Sequence, residues 1–266
     1  MCTVSIIPKP ARANASGVRT GFRLVCNRDE QRNRPDAQPP RWREVGDARA
    51  IWPADGEAGG TWVAAHESGL TLCLLNRNPM PAPNLPEVGL VSRGKIIPEL
   101  LQDDSGPMSG ARMARLVGEM DLDAFAPFRL LAVDPRGAGK LFVHEMDWDR
   151  REFSVRTHAA TPLCFASSGL GDERVVGRLD LFDSMVIGAG ATPEAQDLFH
   201  GHTWADRPEV SVMMSRREAR TVSMTHVEFE PLGAGVRMWY RPVLAEAGGS
   251  VEVSSVRTRA SGSPRV

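Results

Sequence analysis

Met1-Cys2-Thr3-Val4-Ser5-Ile6-Ile7 sets a cysteine directly before a short apolar, β-branched run. A cysteine coded after the initiator methionine becomes the N-terminal residue if that methionine is removed, and its side chain is small enough for removal to be expected. One residue then carries both a nucleophile and a base. Its α-amino group, with an unperturbed pKa of roughly 7.7–8.0, can take a proton from a thiol of pKa about 8.5. This is the N-terminal form of a nucleophile activated by an adjacent base. The competing reading is a structural thiol, since free cysteine is among the most buried residue types.

Thr3 to Ile7 reads as a strand stopped by Pro8 and Pro10, and Phe22 to Asn27 reads as a second strand. Paired as a hairpin, they return Asn27-Arg28-Asp29-Glu30 to the neighbourhood of Cys2. Four polar residues in a row can be a solvated loop start. Beside Cys2 they can do more: an arginine favours a thiolate or holds a substrate carboxylate, and a carboxylate holds the amine.

Arg34 to Gly60, rich in Pro, Gly, Asp and Arg, reads as a long ordered loop with a short strand at Ala50 to Trp52. Gly59-Gly60-Thr61-Trp62 is a turn into a strand. Leu70 to Leu75 is a buried strand ending in Asn76, whose amide either donates to a developing oxyanion or caps the next turn. Arg77 to Leu90 holds four prolines and reads as a loop over the site. Helices are expected over Ser92 to Gln102, Ser109 to Met120, Val175 to Val186 and Glu194 to His202. Further strands are expected at Phe128 to Val133, Leu141 to Met146, Phe153 to Val155, Leu163 to Ala166, Val210 to Met214, Arg220 to Phe229 and Val236 to Tyr240. Residues 1–244 read as a single domain. Gly, Ser and Arg dominate from Ala245 onward, so 245–266 is expected to be a disordered tail.

A formal net charge of −1 and a single tyrosine exclude a nucleic-acid or anionic-membrane footprint. The arginines are scattered, and the only lysines are Lys9, Lys95 and Lys140. Cys2, Cys26, Cys73 and Cys164 form no C-x-x-C pair and have no histidines at zinc spacing. No metal and no cofactor are therefore expected, and Cys26, Cys73 and Cys164 are expected to be buried thiols. No apolar run reaches the ~18 residues of a membrane helix. The chain reads as soluble and cytoplasmic, with a small-molecule partner. Ser92-Arg93-Gly94-Lys95 fits S-x-x-K but is better explained by a helix cap at Ser92. His200 and His202 read as a surface pair.

Strands in two groups, each followed by helices, predict an α+β fold with stacked sheets. Met1-Cys2-Thr3, Asn27-Arg28-Asp29-Glu30, Gly59-Gly60-Thr61-Trp62, the strand ending in Asn76 and Arg220-Thr221-Val222-Ser223 together resemble the NRDE family, also called the transport and Golgi organisation family. That family is similar to the cysteine N-terminal-nucleophile hydrolases such as bile-salt hydrolase and penicillin V acylase. The resemblance implies a four-layer αββα sandwich of two mainly antiparallel sheets, and amide hydrolysis or acyl transfer through a thioester on Cys2. It implies Arg28 beside the nucleophile, Asp29 or Glu30 orienting the amine, and Asn76 as an oxyanion donor. Asn27, Trp62 and Ser168 are its substrate-contacting candidates, with Ser168 where those hydrolases place a second asparagine. A second function class stays open, a non-catalytic binder of haem or another hydrophobic ligand, because family members have been linked to haem trafficking.

Overall fold

Side-chain alternation along the first two strands determines how the layers stack. The structure is a computed structural model that describes residues 2–14, 17–83, 89–103, 106–137, 140–159, 161–231 and 235–243. Strand β1 (Cys2–Asn14) pairs antiparallel with β2 (Gly17–Gln31), with Cys2 opposite Arg28 and Val4 opposite Cys26. Successive residues point to opposite faces. Cys2, Val4, Ile6, Phe22, Leu24 and Cys26 therefore enter one core, while Thr3, Ser5, Ile7, Arg23 and Asn27 face the other way.

The rest of the chain builds on that pair. β3 (Gln38–Val45), β4 (Ala48–Ala54), β5 (Val63–His66) and β6 (Thr71–Asn76) follow as a meander. Then come helices α1 (Ile96–Gln102) and α2 (Gly110–Glu119). Strands β7 (Phe128–Gly137), β8 (Lys140–Trp148), β9 (Phe153–Ala159) and β10 (Leu163–Ala166) lead to α3 (Gly177–Phe182) and α4 (Pro193–His200). β11 (Ala219–Glu230) and β12 (Gly235–Pro242) end the described chain. One antiparallel sheet has the order β10-β1-β2-β11-β12, and the other runs β3 to β9 in sequence.

Three apolar clusters separate the layers. The first joins the facing sides of the two sheets, from Val4 and Leu24 to Val63, Leu75, Leu131 and Met238. The second packs α1 and α2, through Ile97, Leu100, Met113 and Val117, onto Leu72, Leu130 and Met146 of the seven-stranded sheet. The third packs Phe182 and Phe199 from the α3–α4 layer onto Ile7 of the five-stranded sheet. The protein is thus a four-layer αββα sandwich, as expected. Among the described residues no helix is long and apolar enough to cross a membrane.

Several local expectations are corrected. Pro8 and Pro10 do not stop β1, which continues through a bulge between Pro8 and Ala11. β10 pairs only with Thr3 to Ile6, so past Ile7 that side of β1 is an open edge on which proline's missing N–H leaves no ladder bond unmade. Arg34 to Gly60 is not a long loop but contains the β3–β4 hairpin. Pro39 and Pro40 hide β3, and they sit where its pairing slips between Gln38 and Arg41. Val210 to Met214 is not a strand: a 3-10 turn at Pro208–Val210 precedes an irregular segment that drops Val212 into the third core. The helix expected over Val175 to Val186 is split into a 3-10 turn, α3 and a π-helical turn at Asp183–Ile187.

Ser92 precedes a 3-10 turn without capping it through its side chain. His200 is not at the surface; it is fully buried between Ser5 (2.7 Å) and Asn27 (2.9 Å). Cys26 and Cys73 are buried as expected, whereas Cys164 is half-buried. The expected tail, 245–266, lies outside the described residues.

Candidate active site

Period-2 alternation divides the Asn27-Arg28-Asp29-Glu30 stretch between two faces. Asn27 and Asp29 turn toward the α3–α4 layer. Asn27 donates to the carbonyls of His200 (2.9 Å) and Val212 (3.0 Å) and does not border the cleft. Asp29 accepts from the Thr221 hydroxyl at 2.6 Å and lies 3.6 Å from Arg178. Burial raises the Asp29 pKa, with the Arg178 charge and the Thr221 bond opposing it. Arg178 is itself fully buried and donates to Thr3 Oγ1 (2.6 Å) and to the Val210 carbonyl (3.0 Å). It ties α3 to the strand that carries Cys2.

Arg28 takes the opposite face, next to Cys2. Its guanidinium bonds Asp55, lies 3.5 Å from Glu30 and stacks 4.3 Å from the centre of the Trp62 ring. Asp55 also accepts both Arg34 Nε and Nη2 at 2.9 Å, together with the amides of Glu57 and Ala58. Burial by itself would raise the Asp55 pKa. The Arg34 fork, the Ala58 amide and the Arg28 charge outweigh it and hold the carboxyl at about 2.

The turn after Asp55 closes the site. Gly59 is left-handed at φ +68°, and Gly60 packs so tightly on the Gly94 backbone that a Cβ would collide with it. The Thr61 amide donates to the Gly94 carbonyl at 2.9 Å, which brings the Ser92 to Gly94 segment against the Trp62 turn. Between them opens a cleft of about 470 Å³ that brings together Cys2, Arg28, Asp29, Glu30, Trp62 and Asn76. Asn27 and Ser168 stand outside it. The Ser168 hydroxyl accepts from the Leu170 amide at 3.2 Å, closing a local turn. Cys73 and Leu75 face the inter-sheet core, so Asn76 shares the other face of β6 with Leu74, and both border the cleft at the strand end. The buried Trp62 Nε1–H has no partner among the described residues.

Cys2 is 4% exposed. Its thiol pKa is pushed well up, first by a hydrogen bond to Cys26 and then by burial. Cys26 bonds Cys73 in turn, so three thiols from β1, β2 and β6 meet below the cleft. The Cys26 bond and burial therefore hold the thiol protonated. The Cys2 backbone nitrogen donates to Ser167 Oγ at 3.2 Å, and the Ser167 amide returns a 2.9 Å bond to the Cys2 carbonyl. Sequence reasoning missed Ser167, Asp55, Arg34 and Arg93. Arg93 sat inside the S-x-x-K pattern and Asp55 in a turn rich in Pro and Gly; neither carries a local mark of its distant partners.

Comparison with known proteins matches residues 1–164 to the family described as Transport and Golgi organisation 2. Among solved structures the chain is similar to the Caenorhabditis elegans N-acylethanolamine-hydrolyzing acid amidase (NAAA) ortholog, at 12% identity, 84% of this chain, 91% of that chain and a TM-score of 0.39. It is also similar to conjugated bile acid hydrolase from Clostridium perfringens. An arginine-to-leucine variant of that enzyme gives 12% identity, 94% and 92% coverage and a TM-score of 0.45. A cysteine-to-alanine mutant gives 11% identity, 100% coverage of both chains and a TM-score of 0.41. No curated protein matches the chain.

Proposed function

The chain belongs to the transport and Golgi organisation 2 family, and from that premise we propose that it is an N-terminal cysteine hydrolase or acyltransferase acting on a small amide or acylated metabolite. The observation that carries this reading is the position of Cys2. Its side chain borders the cleft while its main-chain nitrogen is held by Ser167 Oγ, so loss of Met1 leaves an oriented α-amine beside the thiol.

In this mechanism the neutral amine takes the thiol proton as Sγ attacks the substrate carbonyl carbon. The tetrahedral oxyanion collapses, the C–N bond breaks, and the ammonium returns its proton to the leaving nitrogen. Water, or an acyl acceptor, then attacks the thioester with the amine again as base, releasing the acyl group and restoring the thiol. Arg28, fixed by Asp55, Glu30 and Trp62, positions the strand end opposite Cys2. Guanidinium and carboxylate groups on the walls support a polar substrate over haem, because an apolar ligand would desolvate them without giving them partners.

The test is to trap the acyl-enzyme. Purified protein is first weighed intact for loss of Met1, then acid-quenched during turnover of an amide panel. An acyl adduct that maps to Cys2 is the expected result; quantitative retention of Met1 in active protein would sink the mechanism. In the same assay Asn76→Ala is expected to lower kcat by about 10²–10³, the range for a lost oxyanion donor, with KM little changed. A tenfold rise in KM at constant kcat would assign Asn76 to substrate binding instead.

A further inference from the structure

The guanidiniums of the cleft are not equally matched. Arg28 and Arg34 face three carboxylates: Asp55 and Glu30 lie within ion-pair reach of both, and Glu57 lies 3.0 Å from Arg34. Arg93 is the third. Its Nη1 donates to the Pro127 carbonyl at 2.7 Å, and among the described residues no carboxylate lies within ion-pair distance of it. It borders the same cleft as Cys2. Burial lowers its pKa, and the charges of Glu30 and of an ionised Cys2 oppose that shift. The Ser92 to Gly94 segment is held by the contact of Gly94 with Gly60 and Thr61, so the Arg93 backbone is anchored next to the Trp62 turn.

Arg93 is thus the guanidinium of the cleft that has no carboxylate at ion-pair distance among the described residues. A partly buried guanidinium that, among the described residues, bonds one carbonyl keeps donors free for a planar anion, the group its fork matches best. We propose that the cleft takes a carboxylated amide, such as an N-acyl amino acid, and that Arg93 selects it by binding the carboxylate. This rests on the amidase reading for the identity of the scissile bond but not for the charge preference. Arg93 is a specificity residue here: it contacts the anionic end of the substrate and leaves the proton transfers to Cys2.

The test pairs each N-acyl amino acid with its neutral carboxamide. Binding of both is measured calorimetrically to the Cys2→Ala protein, and kcat/KM for both is measured with the active protein. The carboxylate is expected to be preferred about 10–100-fold, the range for a hydrogen bond to a charged group. Arg93→Gln is expected to erase the preference by weakening the acid alone, and Arg93→Lys to keep part of it, both with melting temperatures near that of the parent. Equal binding of acid and carboxamide, or a preference that persists in Arg93→Gln, overturns the inference. If the acids bind selectively but no amide turns over, the charge assignment stands and the hydrolase reading fails.

Discussion

Cys2→Ala is expected to reduce kcat/KM for an amide substrate on the order of 10⁶-fold, the loss seen when a nucleophile acting as a unit with its base is removed. The fold should tolerate the change. Cys2 contributes one small side chain to the rim of the inter-sheet core, and its partner Cys26 keeps a bond to Cys73. Loss of the thiol should therefore cost no more than about 1 kcal/mol of stability, near the typical value for a point substitution. A protein that retains its first methionine should be as inactive as the alanine variant, because the base is then an amide nitrogen. Kinetics and a thermal melt on the same preparations check both points. Turnover by Cys2→Ala within a factor of ten of the parent would return Cys2 to a packing role.

The largest effect on stability is expected at Asp55. It is 8% exposed and holds the guanidiniums of Arg28 and Arg34 together with two backbone amides. Asp55→Ala leaves Arg28 buried over Trp62 with Glu30 as its remaining carboxylate among the described residues, and removing one partner of a buried pair costs about 3–5 kcal/mol. The pH dependence has a definite sign. The folded pKa of about 2 lies below the unfolded value of about 3.9, so this stabilisation is fully present above pH ~4. It is lost as the pH falls from there through 2, and amounts to roughly 2–3 kcal/mol. Urea unfolding at neutral pH and at pH 2.5 should show the parent losing more of its margin than Asp55→Ala does. Equal acid sensitivity in the two proteins would show that Asp55 is not the group responsible.

The proposed chemistry and these stability effects share one structural cause. Cys2 and Arg28 are directly opposite on neighbouring strands, and most of what fixes Arg28 comes from elsewhere in the chain. Asp55 and Trp62 lie on the turn between β4 and β5, and Glu30 lies two residues on. The Asn76 and Arg93 variants probe the other wall of the cleft, so additive losses across the two walls are the simplest expectation for residues without shared partners.

Elements whose cause is local can be read directly from the amino-acid sequence. A β-branched apolar run from Thr3 to Ile7 and alternation from Phe22 to Asn27 mark two strands, and their pairing is enough to bring Arg28 to Cys2. The α2 region carries helical spacing through Met113, Leu116 and Val117, and Leu70 to Leu75 is a buried run that ends at Asn76. Local signals misled where proline was taken as a stop. Pro8, Pro39 and Pro40 lie at open edges or bulges, and only the neighbouring strand decides whether a missing N–H costs anything. Likewise, nothing in Asn27-Arg28-Asp29-Glu30 says which side chains face the cleft until the sheet has two distinct faces, one against α3 and α4 and one against the other sheet. Contacts in the folded chain place Ser167 on the Cys2 nitrogen, give Asp55 two arginines, bury His200, and put Arg93 in the cleft with no carboxylate at ion-pair distance among the described residues. Each of these depends on contacts between segments far apart in the chain. Burial and charge balance are properties of such contacts, not of the residues that make them.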